Sequence, residues 1–138
     1  MNRIDLVDET FIAAPAPLLA TTIADPARWA TWWPDLEASV FMDRGLEGLR
    51  WTVVGALVGT AEIWLESFND GVIVHYFLRA DPSEPGRPHV PRALPDSPRG
   101  RRVADRLRAR RALAWKRSVW TLKAELEGDR RPGAPGYR

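Results

Sequence analysis

Three glycine-containing turn signals between residues 36 and 80 constrain this chain more than any other feature. Arg44-Gly45, the Gly55 to Gly59 segment and Asp70-Gly71 cut the stretch into four apolar runs of strand length. Runs joined by such short turns are typical of an antiparallel meander, because parallel strands need a long crossover. A sheet of this kind buries one face, so each proposed hairpin can be tested by the side chains that it brings together.

A two-residue loop at Asp70-Gly71 predicts that Glu66 faces His75 and that Trp64 faces Phe77. The turn between the second and third runs places Arg50 beside Trp64, which predicts a cation–π contact. All three turns collect the apolar side chains on one face of the sheet. That predicted inner face comprises Leu36, Ala38, Val40, Leu49, Trp51, Val53, Ala61, Ile63, Leu65, Val74, Tyr76 and Leu78.

The segments on either side of the meander predict one more strand and three helices. Residues 4–13 predict a first strand, and two short helices follow, the second with Asp25 as N-cap and Pro26 at its first position. Residues 81–98 contain six prolines and predict an irregular connection. The apolar spacing from Arg99 to Glu127 predicts one long helix. We expect a single domain over residues 1–128 and a flexible tail over residues 129–138.

Composition excludes several kinds of site. The chain has no cysteine and only two histidines, so a thiolate or imidazole metal site has no support, and we expect neither metal nor cofactor. No serine triad or phosphate-binding loop is present. The first ten residues are too acidic for a signal peptide, and the longest uncharged stretch, residues 10–24, is short and broken by prolines. We therefore expect a cytoplasmic protein.

The charge is divided unevenly along the chain. Residues 1–98 hold 7 basic and 14 acidic side chains, whereas residues 99–138 hold 13 basic and 4 acidic ones. A basic helix could bind the phosphates of nucleic acid or of an anionic membrane. The simpler alternative is that the basic helix packs on an acidic domain and neutralises it.

The stretch TFIAAPAPLLATTIADPARWATWWPDL, at the junction of first strand and helices, resembles the SRPBCC superfamily, the START-like group of polyketide cyclases, aromatases and lipid-transfer proteins. The matching positions are Phe11, Ala13, Pro15, Leu18 or Leu19, Asp25, Pro26, Trp29, Trp32 and Trp33. The resemblance implies an α+β helix-grip fold, in which a curved antiparallel sheet wraps the last helix around an apolar cavity. The family has seven strands and five are visible here. The pocket is then open on one side, covered by the 81–98 loop, or completed by a second subunit.

The same resemblance implies a hydrophobic ligand, lipid or polyketide-like, held between the sheet and the last helix. The candidate ligand-binding residues are Trp33, Trp51, Tyr76, Arg111, Trp115 and Val119. The alternative is that the rings simply fill the core. Arg111 interrupts the apolar stripe of the helix, so it either turns outward or meets a ligand anion at the pocket mouth.

Three functions remain open at this point. The first is binding or carriage of a hydrophobic molecule by a monomer or a homodimer. The second is a cyclase-type enzyme in the same cavity, for which the weak catalytic candidates are His75 and Glu66, although both fall on the predicted outer face. The third is a module whose basic helix docks on nucleic acid or on an anionic membrane. Trp29, Trp32 and Trp33 form either a ligand gate or an anchor for the short helices.

Overall fold

The computed structural model describes residues 4–128 of the chain. Its elements are β1 (Ile4–Ile12), α1 (Ala16–Ile23), α2 (Pro26–Trp32), β2 (Leu36–Asp43), a 3-10 turn (Gly45–Glu47), β3 (Gly48–Gly55), β4 (Leu57–Phe68), β5 (Gly71–Glu84), β6 (Arg87–Pro91) and α3 (Pro98–Glu127). The predicted first strand, two short helices, meander and long last helix are confirmed. The predicted tail at 129–138 lies outside the described residues.

The strands form one antiparallel sheet in the order β1-β5-β4-β3-β2, with β6 added to the far end of β5. One face of the sheet is buried, and its residues form a single core with those of α1, α2 and the second half of α3. The architecture is therefore the α+β helix-grip arrangement, with the long last helix lying against the sheet.

The predicted register is wrong by two residues at each hairpin, and by more beyond the bulge in β2, yet the predicted inner face is right except that Val40 is 38% exposed. The third turn uses Asn69-Asp70 rather than Asp70-Gly71, with Asn69 at φ 51° and Phe68 opposite Gly71. Asparagine tolerates this left-handed conformation better than most side chains. Because side chains alternate along a strand, a shift of two residues leaves every one of them on its predicted face.

Two predicted contacts on the outer face change with the register, and one is that Trp64 lies opposite His75 rather than Phe77. Arg50 lies opposite Glu62, not beside Trp64, and its Nε is 3.1 Å from a Glu62 carboxylate oxygen. The predicted cation–π contact is therefore wrong, and an ion pair takes its place. The strand β2 also contains a bulge between Val40 and Met42, and the 3-10 turn follows it. The predicted two-residue loop at Arg44-Gly45 included neither feature.

The prediction of an irregular connection over residues 81–98 is wrong in its first half. β5 continues to Glu84, and β6 returns antiparallel to it, so the sheet has six strands. Proline is tolerated in such a short outer hairpin because a strand edge does not need every N–H group. Pro82, for example, contributes only its carbonyl, which accepts a 2.7 Å hydrogen bond from the Arg92 N–H.

The long helix α3 begins where a local cap supports it and ends beside β1. The Ser97 hydroxyl accepts a 3.1 Å hydrogen bond from the Gly100 N–H, as an N-cap does. Near the other end, the two lysines of the chain reach the side of β1 that faces away from β5. Lys116 bonds the Thr10 hydroxyl at 3.0 Å, and Lys123 bonds the Phe11 carbonyl at 2.7 Å.

Glu127 completes this contact between helix and strand. Its carboxylate accepts a 2.8 Å hydrogen bond from the Ala13 N–H and a 2.6 Å one from Lys123. The outer edge of β1 is thus closed by side chains of α3, which protects it from pairing with another strand. No helix within residues 4–128 combines the length and the apolar character needed to cross a membrane.

Candidate functional site

Six aromatic rings meet between the inner face of the sheet, α2 and α3. This aromatic cluster comprises Trp29, Trp32, Trp33, Trp51, Tyr76 and Trp115. The short helix α2 brings in the first two rings, and Trp33 follows immediately. The tryptophan spacing in the sequence is the signal that predicts this grouping, since three and four residues separate side chains on one helix face.

The rings contact one another directly. Tyr76 stacks on Trp115 with centroids 3.9 Å apart, and Trp33 meets Trp51 edge to face at 5.1 Å. Of the predicted ligand-binding residues, Trp33, Trp51, Tyr76 and Trp115 are brought together here and Val119 is buried in the same core. Within this cluster, the protein's own side chains occupy much of the space between sheet and helix.

The hydrogen bonds of these rings leave a surplus of donors. The Trp29 indole N–H donates to the Ile23 carbonyl at 2.7 Å, and the Trp33 indole donates to the Tyr76 hydroxyl at 3.1 Å. The indole nitrogens of Trp51 and Trp115 are buried without a hydrogen-bond partner in the described part of the chain. A buried unpaired donor costs roughly 1–3 kcal/mol, so two of them in one cluster require an explanation.

Tyr76 adds a third donor to this surplus. Its oxygen accepts from Trp33, and its own proton has no acceptor among residues 4–128. Burial raises the pKa of the phenol well above its ordinary value, and the Trp33 hydrogen bond and the charge of Arg111 only partly oppose that effect. The phenol is therefore neutral at physiological pH and presents an O–H group.

Arg111 is paired with a carboxylate in the structure. Its guanidinium makes a bidentate contact to the Asp35 carboxylate, at 2.8 and 2.6 Å, and its side chain is 16% exposed. It therefore joins α3 to the start of β2, at the rim of the core. Sequence reasoning missed Asp35, because nothing local distinguishes it from the other acids.

A second ion pair joins α2 to α3. The Arg28 guanidinium donates hydrogen bonds to the Glu125 carboxylate at the surface. This contact raises the pKa of Arg28, although partial burial acts to lower it. Both partners are at least one-third exposed, so the pair contributes little stability. The contact of Trp32 with Trp115 in the core, with ring centroids 5.7 Å apart, also joins these two helices.

Two surface clefts reach residues of the core. One, of about 520 Å³, lies between α1 and the β2–β3 turn, and its wall includes Leu49, a buried residue of the inner face. The other, of about 230 Å³, lies between α2 and α3, and Trp32 of the aromatic cluster lines it together with Arg28 and Arg117. The second cleft thus reaches the aromatic cluster at Trp32, and the first reaches the core at Leu49.

His75 and Glu66 lie on the opposite, outer face of the sheet. The His75 Nε2 atom is 2.9 Å from Glu66 and its Nδ1 atom is 3.5 Å from Glu9, while its ring stacks on Trp64 at 4.3 Å. Glu66 pairs directly with Ile73, so its contact with His75 is diagonal rather than directly cross-strand. The two catalytic candidates are therefore close together, but the sheet separates them from the aromatic cluster.

Comparisons with known proteins support the fold. No protein-family model matches the sequence, and no curated protein matches it. The Aha1 dimer of Colwellia psychrerythraea superposes with a TM-score of 0.57 at 12% identity, covering 90% of this chain and 96% of that one. DR_A0006 of Deinococcus radiodurans superposes with a TM-score of 0.60 at 10% identity, covering 90% and 98%. Identities this low indicate shared architecture only. The chain therefore shares its overall fold with these two structures, a sheet packed against a long last helix in the helix-grip arrangement.

Proposed function

We propose that this protein binds an uncharged apolar small molecule that carries a hydrogen-bond acceptor, in the space bounded by the sheet, α2 and α3. The observation that carries the proposal is the donor surplus of the aromatic cluster. Among residues 4–128, the indole N–H groups of Trp51 and Trp115 have no partner and the Tyr76 proton has no acceptor. A ligand oxygen would satisfy donors that the protein leaves unpaired.

The chemistry of the cluster limits the ligand class. An ammonium group has no lone pair to accept from the unpaired N–H groups, and a carboxylate would lose its hydration among the rings while Arg111 is already paired with Asp35. A ketone, aldehyde or ester has acceptor oxygens and no charge. If the carbonyl group is attached to an aromatic ring or an acyl chain, the apolar part of the ligand would replace the contacts between protein rings that binding disrupts.

Entry of a ligand requires the rings to separate. The seven-residue helix α2 is the element that would move, because it is short, it positions Trp29 and Trp32, and its ion pair with α3 is exposed. The cleft beside Leu49 and the cleft beside Trp32 are the two routes. We infer a gating role for these tryptophans in addition to their packing.

Carriage is preferred over cyclase-type catalysis because the aromatic cluster has no base. Tyr76 is the titratable side chain among its rings, and a raised pKa makes it a poor acid and leaves it neutral. His75 and Glu66, the two catalytic candidates, are on the other face of the sheet.

The proposal is tested with two probes that share shape and differ in the acceptor. Equilibrium dialysis compares 2-acetylnaphthalene with 2-isopropylnaphthalene, in which a methyl group replaces the carbonyl oxygen. We expect the ketone to bind about tenfold more tightly, since one hydrogen bond contributes roughly 1–1.5 kcal/mol. The preference should fall in Trp51→Phe and Trp115→Phe and persist in Trp120→Phe, whose side chain is exposed. Equal binding of the two probes, or no binding of either, would refute the proposal.

A further inference from the structure

We infer that the solvent-facing side of α3 docks on an anionic phospholipid bilayer. Five arginines form a line on this side of the helix, called here the arginine stripe: Arg99, Arg102, Arg106, Arg110 and Arg117. At 100° per residue they fall within an arc of about 80° and extend over about 27 Å of the helix. The buried residues Trp115 and Val119 lie on the opposite side.

None of the five has an ion pair with another residue of the 4–128 range. The other basic residues of α3 do have carboxylate partners there: Arg101 with Asp96, Arg108 with Asp105, Arg111 with Asp35, Lys116 with Asp8, and Lys123 with Glu127. The structure thus divides the basic charge of the helix in two. One part is paired with carboxylates of α3 itself or of the residues before it, and the arginine stripe remains available to an external anion.

Two large apolar side chains lie on the same face as the stripe. Leu113 is 54% exposed and sits between Arg110 and Arg117, and Trp120 is 56% exposed one turn further along. At a bilayer surface, arginine binds lipid phosphate while tryptophan and leucine enter the headgroup boundary beneath it. The arginine stripe and these two apolar side chains therefore fit a bilayer, in which an anionic headgroup layer covers an apolar interior.

The face fits other occupants less well. A second copy of the chain would bring two arginine stripes together, and like charges would oppose the contact. Nucleic acid would satisfy the arginines through its phosphates, but the exposed Leu113 side chain would then face phosphates and gain no apolar contact. Docking would also bring Arg117 and the adjoining α2–α3 cleft to the membrane, where apolar molecules dissolve.

The test is co-sedimentation of the full chain with vesicles, without any ligand added. We expect binding to equimolar phosphatidylcholine and phosphatidylglycerol, none to pure phosphatidylcholine, and loss of binding as salt rises. Each arginine near an anionic surface contributes about a fivefold gain in partitioning, so R106Q/R110Q should bind about thirtyfold less. The matched control R101Q/R108Q removes the same charge from ion-paired positions and should retain most of the binding. W120S should weaken binding at every salt concentration.

Three results would overturn the inference: equal binding to both vesicle types, equal losses in the two double variants, or binding to duplex DNA with none to vesicles. All of the substituted side chains are exposed, so circular dichroism should show folded variants. Dialysis with 2-acetylnaphthalene needs no vesicles. Membrane docking and ligand binding can therefore fail independently of each other.

Discussion

The sharpest stability prediction compares two tryptophans that differ in one hydrogen bond. Trp33 and Trp115 are each 3% exposed and belong to the same aromatic cluster. The Trp33 indole donates to the Tyr76 hydroxyl at 3.1 Å, whereas the Trp115 indole has no partner among the described residues. Phenylalanine at either position removes the same atoms from an equally buried site. The two variants therefore isolate the energetic contribution of the indole N–H.

The expected difference follows from three terms. Loss of packing and the cavity left behind destabilise both variants by about 1–2 kcal/mol. Trp33→Phe also loses a hydrogen bond, at roughly 1 kcal/mol, whereas Trp115→Phe removes an unsatisfied buried donor and recovers about the same amount. Trp33→Phe should thus be less stable than Trp115→Phe by about 2 kcal/mol. For a chain of this length that is about 7 °C in Tm.

Urea unfolding followed by circular dichroism near 222 nm measures this difference, since both variants change the tryptophan emission. The experiment uses ligand-free protein at one pH. Equal stabilities, or a Trp115→Phe variant that is the less stable of the two, would refute the reasoning. Either result would mean that the Trp115 N–H is satisfied in the folded protein, for example by a buried water, and the donor surplus would shrink.

Three further predictions concern the fold. Glu127→Ala should cost about 2–3 kcal/mol in urea unfolding, because it removes the acceptor of the Ala13 N–H group and the charged partner of Lys123, which keeps only the Phe11 carbonyl. Glu125→Ala, at an exposed pair, should cost less than about 1 kcal/mol. Gly48→Ala should cost about 3 kcal/mol or more, since its φ is +116° and a Cβ would meet a backbone oxygen at 1.9 Å, whereas Gly86→Ala, with open space, should cost about 1 kcal/mol. Because the pKa of Tyr76 is raised in the folded state, its contribution to stability is complete below the ordinary value of 10.0 and is lost as pH rises beyond it. Tyr76→Phe should lose less stability than the wild type when urea unfolding is repeated at increasing pH above that value; an unchanged slope would contradict the assignment.

The sequence predicts which side chains share a face of the sheet better than it predicts which residues pair across the strands. The turn between β4 and β5 shows the physical reason. Asp70-Gly71 and Asn69-Asp70 are both good turn residues, so composition does not choose between them. Moving the turn by one residue changes every cross-strand partner by two. It leaves Trp51 and Tyr76 on the inner face, because only the parity of the register decides the face.

Long-range polar contacts were beyond prediction for a different reason. The helix α3 follows from its apolar spacing, but the pairing of Arg111 with Asp35 depends on how the helix crosses the sheet. The same holds for the unpaired indoles of Trp51 and Trp115, since a missing partner is a property of the packed core. The β5–β6 hairpin was not predicted because its prolines are unusual in strands and interrupt the alternation of apolar and polar residues.

The most direct test of ligand binding in the aromatic cluster is the indole region of a two-dimensional ¹H–¹⁵N NMR spectrum. The chain has seven tryptophans, and single phenylalanine variants assign their N–H signals. On addition of 2-acetylnaphthalene, the signals of Trp51 and Trp115 should move downfield and exchange with solvent more slowly, as new hydrogen bonds form, and Trp120 should stay unchanged. If those two signals do not move while the ketone binds, or if only Trp120 responds, the ligand does not occupy the aromatic cluster and the account is wrong.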